Sequence, residues 1–143
     1  MTTLTPAVND AGPNPPDIRS RADIERLVDG FYEVVRADDV LSPIFDDVAQ
    51  VDWARHLPKM YAFWEAILFG VQRFEGNPLA LHLALGRRVP LGSREFGRWL
   101  TLFHATVDRL FAGPYALVAK DRATRLAAMM QHHLAADRGL ARA

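Results

Sequence analysis

His82 is the residue of this chain whose type and setting best suit metal chemistry. It lies in the segment Asn77-Pro78-Leu79-Ala80-Leu81-His82-Leu83-Ala84-Leu85-Gly86. Asn77 and Pro78 predict a helix start, because Asn can cap a helix and Pro fits its first position. Gly86 predicts the end of that helix. A lone imidazole on a short apolar helix can bind the iron of a haem from its proximal side, and it can equally be a core histidine.

The other candidate metal ligands fit less well. His104 lies in the middle of a predicted helix, at the border of its apolar face, while His132 and His133 are neighbours that point in different directions. Met60 has the spacing of a packed core residue rather than of an axial ligand. The chain contains no cysteine, which excludes disulfides, thiolate catalysis, iron–sulfur clusters and cysteine-type zinc sites.

Length, composition and charge predict one globular domain. The chain has 143 residues, half of them hydrophobic, with 17 acidic and 17 basic residues. The balance of charge gives no general reason to bind nucleic acid or an anionic membrane, and we expect neither partner. Residues 1–16 contain four prolines among small polar residues and predict a mobile tail. We place the folded domain at residues 17–138 and a C-terminal tail at 139–143.

The N-terminal sequence has no basic and apolar regions of the kind that form a signal peptide. No apolar run approaches the roughly 18 residues that a membrane helix needs. The expected location is therefore the cytoplasm.

Apolar residues at helical spacing predict an all-α protein. Ser20 is the expected cap of a helix over 21–37, and residues 40–45 predict a tight turn that carries apolar side chains inward. The second helix is expected to begin near His56 or Leu57 and to end at about Gly70, with Trp53 in a preceding turn, because Pro58 is best tolerated in a first turn.

Two further long helices are expected after the His82 segment. Ser93 is the expected cap of one of them, and Gly113-Pro114 separates it from the last helix, which we expect to end at Arg138-Gly139. The inward positions are Phe96, Trp99, Leu100, Phe103, Val107 and Leu110 in the first of these helices, and Leu117, Ala123, Leu126, Ala127, Met130 and Leu134 in the last.

A series of short motifs then follows in order along the chain. They are Phe31-Tyr32, Pro43-Ile44-Phe45, His56 with Phe63-Trp64, Asn77-Pro78 through His82, and Trp99-Leu100 with Phe103. In this combination the chain resembles a group III truncated haemoglobin, from about residue 18 to about residue 135. Groups I and II usually carry Gly-Gly pairs where this chain has only the single glycines Gly70 and Gly76, which agrees with group III.

The resemblance implies a truncated globin-like two-over-two helical sandwich that holds haem b. His82 would supply its imidazole nitrogen to the iron, with its other ring N–H donated to a carbonyl such as that of Pro78. Arg87 and Arg88 follow the proximal helix and are candidates to pair with the haem propionates.

The resemblance also implies a distal side of the pocket. Tyr32 would donate a hydrogen bond to the bound diatomic ligand, and Trp99 would supply a second donor in its indole N–H. His56 would act as a movable gate or a weak ligand contact. The residues expected to form the apolar wall are Phe45, Met60, Phe63 and Trp64.

Three functions remain open from the sequence. The first is a haem-binding globin that binds O2, CO and NO, and the second is a haem enzyme with peroxidase-like or nitric-oxide dioxygenase activity, supplied by an external reductase. The third is a haem-free helical interaction module in which His82 is a core residue. Ligation of the iron by both His56 and His82 is a variant that we rank below the open site. We expect a monomer.

Overall fold

The computed structural model of the protein describes residues 15–71, 84–86, 88 and 91–142. Within these residues the secondary structure is helical and contains no strand. The elements are α1 (Arg21–Arg36), a short π-helix (Ile44–Val48), α2 (Trp53–Phe69), α3 (Ser93–Leu110) and α4 (Pro114–Arg142). The fold class predicted from periodicity is therefore confirmed. No helix in the described part of the chain combines the length and apolar character needed to cross a bilayer.

Helix α1 forms where its sequence predicts. Ser20 is its cap, and the Ser20 hydroxyl accepts a hydrogen bond from the backbone N–H of Asp23 at 3.2 Å. One face of the helix is buried over its whole length, because apolar residues recur every three or four positions. The buried residues are Ile24, Leu27, Val28, Phe31, Tyr32 and Val35.

The four long helices form two pairs. Helix α1 packs against α2, and α3 packs against α4; α1 also contacts α3, and α2 contacts α4. The core lies between the pairs and includes Phe31, Trp64, Phe103, Val107 and Leu134. The two pairs agree with the expected two-over-two arrangement.

Helix α2 begins earlier than the sequence predicts. Trp53 is its first residue, and Pro58 lies inside the helix. The Asp52 carbonyl accepts hydrogen bonds from the N–H groups of Arg55 and His56, at 3.0 and 2.8 Å, so the first turn forms ahead of Pro58. The expected start near His56 or Leu57 is wrong because packing of the Trp53 ring against its neighbours offsets the hydrogen bond that Pro58 cannot donate.

The cap of α3 also differs from the expected one. Gly92 is the cap residue and Ser93 is already helical. The Glu95 carboxylate accepts a hydrogen bond from the Gly92 N–H at 2.9 Å, which pairs one of the backbone donors at the helix start. Along α3, Phe96, Phe103 and Val107 are buried as predicted.

Helix α4 is capped by a residue from the other end of the chain. Asp17 accepts hydrogen bonds from the N–H groups of Tyr115 (3.0 Å) and Ala116 (2.9 Å). Its negative carboxylate also interacts favourably with the positive end of the helix dipole. The adjacent Pro16 carbonyl accepts a hydrogen bond from the Ala112 N–H at 3.0 Å. Within the predicted tail 1–16, Pro16 is therefore bonded to the folded part.

Two expectations about α4 are corrected. Leu117 was expected to face inward, but it is 63% exposed, because the buried positions are Ala116, Ala119, Ala123, Ala127, Met130 and Leu134. The helix also continues past Gly139 to Arg142. One glycine costs a helix only about 1 kcal/mol, and Leu140, Ala141 and Arg142 are good helix formers.

We predict that Gly113→Ala destabilises the protein. Gly113 has a φ of 140°, and a Cβ at this position would lie 2.6 Å from the Asp17 carboxyl carbon. The substitution should lower the free energy of unfolding by about 2 kcal/mol or more. The measurement is urea denaturation followed by circular dichroism.

Gly97→Ala is the matched control for Gly113→Ala. Gly97 lies in α3, and a Cβ there would meet no atom within 4 Å. We expect the free energy of unfolding of this variant to rise by about 0.5 to 1 kcal/mol, because alanine has a higher helix propensity than glycine. Equal stabilities for the two variants would contradict the prediction.

Candidate functional site

Tyr32 is the polar centre of the site. Helix α1 places it directly after Phe31, at the edge of the buried face, where its side chain is 8% exposed. Its hydroxyl oxygen lies 3.2 Å from Nε2 of His56, which lies in the first turns of α2. The hydrogen bond therefore joins the two helices that were expected to form the distal side of the pocket.

The Tyr32 phenol is neutral at physiological pH. Burial raises its pKa well above the ordinary value, because the phenolate would lose its hydration. A neutral phenol has one proton and can also accept a hydrogen bond. When His56 donates from Nε2, the Tyr32 proton is available to a third group, and when Tyr32 donates, it is not.

Aromatic rings surround the Tyr32–His56 pair. The Tyr32 ring centroid is 5.2 Å from that of Trp53, 5.1 Å from His56 and 6.0 Å from Phe45. Phe45 and Trp53 stack at 5.7 Å with an angle of 22° between their planes. Phe45 is thus beside Tyr32, where the resemblance implies.

Trp53 is the residue of this cluster that the sequence interpretation missed. It lies three positions before His56, which places both side chains near one face of a continuous helix. That spacing was a usable signal. Pro58 hides it, because a proline is best tolerated in a first turn and so predicts a helix that begins after Trp53.

The expected wall residues on α2 differ in burial and in what they contact. Met60 and Phe63 are half-buried and follow His56 by four and seven positions, so they continue the same face. Trp64 is 4% exposed and stacks on Phe103 at 4.9 Å, within the core. Met60 and Phe63 therefore stay partly exposed along the side of α2 that carries His56, whereas Trp64 is buried against Phe103.

Trp99 reaches the same region from α3. Its ring stacks on Phe103 at 5.6 Å and meets Phe31 edge-on at 5.6 Å, and Phe31 in turn contacts Tyr32. The Trp99 ring is half-buried, and its indole N–H has no hydrogen-bond partner among the described residues. A donor in this position is suited to a ligand with an accepting atom.

An ion pair between a buried carboxylate, Asp38, and the partly exposed Arg98 ties the turn before the π-helix to α3. The Arg98 Nε donates to Asp38 Oδ1 at 2.6 Å, and Asp38 Oδ2 accepts from the N–H groups of Val40 and Leu41. Burial alone would raise the pKa of Asp38, but the Arg98 hydrogen bond, the two backbone donors and the Arg98 charge together lower it. The ion pair fixes the start of the segment that carries Phe45 relative to the helix that carries Trp99.

The proximal side is described only in part. His82 and Arg87, which the sequence places there, lie outside the described residues. Residues 84–86 are helical, and a Cβ on Gly86 would lie 2.5 Å from Leu134 Cδ2, so the end of this segment contacts α4. Arg88 is exposed in a turn, and its N–H donates to the Leu85 carbonyl at 2.9 Å.

The arrangement suits a flat apolar group and a small polar ligand. A phenol, an imidazole and an indole offer neutral hydrogen-bonding groups beside the aromatic and thioether side chains of Phe45, Met60 and Phe63. Among the described residues no group of three His, Cys, Asp or Glu side chains could hold a metal ion directly. The donor set therefore fits the distal face of a haem better than a bare metal site.

Comparison with known proteins decides the family. A family model described as bacterial-like globin matches residues 17–136. The chain belongs to the bacterial-like globin family. Membership in this family implies a haem-binding protein, and the residues of the distal side fit that cofactor.

This globin is similar to group III truncated haemoglobins. It is 32% identical over 114 residues to the group 3 truncated hemoglobin of Campylobacter jejuni, an alignment that covers 78% of this chain and 87% of that protein. The crystal structure of the group III truncated hemoglobin from Campylobacter jejuni matches with a TM-score of 0.74 and 31% identity, over 84% of this chain and 94% of that one. The resemblance stated from the motifs and the truncated globin fold are both confirmed.

Proposed function

We propose that this globin holds haem b through the imidazole of His82 and binds diatomic gases on the side that contains Tyr32, His56 and Trp99. The gases are O2, CO and NO. The observation that supports this proposal most is the buried, neutral Tyr32 hydroxyl 3.2 Å from His56 within an aromatic cluster. When bound, haem would supply an iron that can bind such a gas.

The chain supplies what the cofactor needs around it. Phe45, Met60 and Phe63 present half-buried apolar surface that would exclude water from the haem face, and Trp64 supports them from the core. Exclusion of water strengthens every hydrogen bond made inside the pocket. Arg87 and Arg88 would hold the propionates at the proximal edge, and the Pro78 carbonyl would orient the His82 ring.

The distal donors would act on the ligand through a shared hydrogen bond. If the His56 Nε2–H donates to the Tyr32 oxygen, the Tyr32 proton can be donated to the ligand. The Trp99 indole N–H, which has no hydrogen-bond partner among the described residues, would be a second donor to the same side. Two donors of this kind favour a slowly released ligand, which suits chemistry or sensing better than bulk oxygen delivery.

The test is the visible absorption spectrum of the purified full-length protein, before and after dithionite and CO. We expect a Soret band that shifts with CO in the parent and is weakened or altered in His82→Ala. His104→Ala is the control, because His104 Nε2 lies 3.1 Å from Thr124 Oγ1 and 3.2 Å from the Lys120 carbonyl, away from the pocket. The control should keep the spectrum of the parent.

The opposite result would identify a different kind of protein. Absence of a Soret band even after addition of hemin would refute haem binding and leave a helical interaction module. A spectrum typical of an iron with two imidazole ligands would favour ligation by both His56 and His82, provided that this spectrum disappears in His56→Leu.

The hydrogen bond between Tyr32 and His56 also favours a second function, a haem enzyme. Imidazole is the side chain best suited to proton transfer near neutral pH, and here it lies within hydrogen-bond distance of a buried phenol. Peroxidase-like or nitric-oxide dioxygenase turnover would need an external reductase. Turnover that is lost in His56→Leu would support this function, turnover unchanged by that substitution would contradict the role of His56, and absence of turnover in the parent would contradict the function.

A cytoplasmic location and a monomeric state belong to the same proposal. Gel filtration at several protein concentrations would test the oligomeric state. A concentration-dependent shift toward a larger species would contradict the monomer.

A further inference from the structure

Trp53 is held in one orientation by two exposed charged residues. The Arg36 guanidinium lies over the Trp53 ring, 4.8 Å from its centroid, and the indole Nε1 donates to Asp46 Oδ1 at 3.3 Å. Arg36 ends α1 and Asp46 lies in the π-helix, so two separate elements fix the ring. A stacked guanidinium and a hydrogen bond together restrict rotation of the side chain.

The fixed indole contacts both rings of the Tyr32–His56 pair. Its centroid is 5.2 Å from that of Tyr32 and 5.6 Å from that of His56. Tyr32 is 8% exposed, Trp53 is half-buried, and Arg36 and Asp46 are exposed. Exposure therefore increases from the phenol of Tyr32 to the indole of Trp53 and then to the two charged side chains.

The backbone between the π-helix and α2 brings Asp46 and Trp53 together. The Ala49 N–H donates to the Ile44 carbonyl at 2.8 Å, and the Val51 N–H donates to the Phe45 carbonyl at 3.0 Å. Gln50 has a φ of 50°, a left-handed conformation that is unfavourable for a residue with a side chain. This strained turn, which its hydrogen bonds close, fixes the distance between Asp46 and Trp53.

We propose that Trp53 is a positioning residue that covers the Tyr32–His56 pair and restricts the access of water and small ligands to it. Removal of the indole would open the path between the π-helix and α2 and would allow the phenol and the imidazole to rotate. The part of this proposal that concerns gas entry rests on the proposed function, whereas the protection of Tyr32 does not.

Chemical nitration of tyrosine tests the protection of Tyr32 without any need for haem. The full-length protein is treated with tetranitromethane under native conditions, and the modified sites are quantified by mass spectrometry. Cleavage after Arg26 and Arg36 isolates Tyr32 from Tyr61 and Tyr115. We expect Trp53→Ala to nitrate Tyr32 about tenfold faster than the parent. Tyr115, which is 43% exposed, is the internal reference and should react at an unchanged rate.

Two control variants separate loss of cover from loss of stability. Trp53→Phe keeps an aromatic ring over the pair but loses the bond to Asp46, and Tyr32 should react within about threefold of the parent rate. Ile67→Ala removes a half-buried side chain elsewhere on α2 and should leave Tyr32 protected. Should Trp53→Ala fail to fold, Asp46→Ala in combination with Arg36→Met loosens the same ring from outside. It should also speed the nitration of Tyr32, by less than removal of the indole, and an unchanged rate would overturn the proposal.

Gas entry is tested by CO association after flash photolysis of the haem-loaded protein. Trp53→Ala should raise the association rate constant about tenfold, while Trp53→Phe stays close to the parent. A Tyr32 nitration rate unchanged in Trp53→Ala would overturn the proposal as a whole. Faster nitration with an unchanged CO rate would overturn the gating of gas entry. A parent that binds no haem refutes the proposed function, and nitration still decides the role of Trp53.

Discussion

Replacement of Tyr32 by Phe is expected to raise the dissociation rate constant of dioxygen by about tenfold to a hundredfold. The phenol is buried and neutral, so the variant loses a hydrogen-bond donor where water cannot easily replace it. A donor to a polar ligand in such a site contributes about 1 to 3 kcal/mol. Phenylalanine keeps the ring contacts with Phe45 and Trp53, so the change isolates the hydroxyl.

The measurement is stopped-flow replacement of dioxygen by CO in the reduced protein. Tyr61→Phe is the matched control, because the Tyr61 hydroxyl donates to Asp29 at the surface of the α1–α2 pair. We expect the control to keep the parent rate. A fast dissociation rate in the parent, unchanged in Tyr32→Phe, would refute the role of Tyr32 and the slow release inferred from it.

Asp38→Ala is expected to lower the free energy of unfolding by about 2 to 4 kcal/mol at neutral pH. The Asp38 side chain is 4% exposed and accepts from Arg98, Val40 and Leu41. Alanine leaves the N–H groups of Val40 and Leu41, in the turn after α1, without their acceptor. This loss accounts for the larger part of the decrease in stability. Asp38→Asn keeps one carbonyl acceptor and should lose less, about 1 to 2 kcal/mol.

The effect of Asp38 should depend on pH in a defined direction. Its pKa in the folded protein lies below the ordinary value of 3.8, so the unfolded chain takes up the proton more readily. The ionised group therefore stabilises the fold fully above about pH 5, and this contribution is lost as the pH falls through the pKa of the folded state. The stability difference between the parent and Asp38→Asn should shrink over the same range.

Urea denaturation from neutral pH to about pH 3 measures both effects. Asp121→Asn is the control, because Asp121 pairs with Arg125 on the surface and both side chains are mostly exposed. That pair should contribute less than about 0.5 kcal/mol. If Asp38→Asn and Asp121→Asn have the same stability at every pH, the ion pair of Asp38 does not hold the turn to α3.

Local sequence signals predicted the helices well and their first residues less well. The apolar spacing of α1 and α3 is repeated over four or five turns, so a single misplaced residue does not hide it. A helix start depends on one or two residues, and tertiary contacts can move it. Because of Trp53, α2 begins five residues before Pro58. Because Glu95 accepts a hydrogen bond from the Gly92 N–H, the cap of α3 is Gly92 rather than Ser93.

The sequence predicted which residues form the site better than it predicted how they are arranged. The resemblance to truncated haemoglobins implies that Tyr32, His56, Phe45 and Trp99 lie on one side of a pocket. The structure brings the first three together and links Trp99 to them through Phe31. Spacing could not separate Trp64 from Met60 and Phe63, because all three recur at helical intervals. Only the position of α3 shows which of them faces Phe103.

By itself, the sequence determined the helical class, because helices follow from spacings of a few positions, and its ordered motifs carried the resemblance to truncated haemoglobins, which in turn implied the candidate donors. The tertiary structure decided which donors meet and what holds them. Tyr32 and His56 are 24 residues apart, Asp38 and Arg98 are 60 apart, and Asp17 and Ala116 are 99 apart. No local pattern encodes such a pair, because each forms only when the packing of whole helices brings its two residues within hydrogen-bond distance.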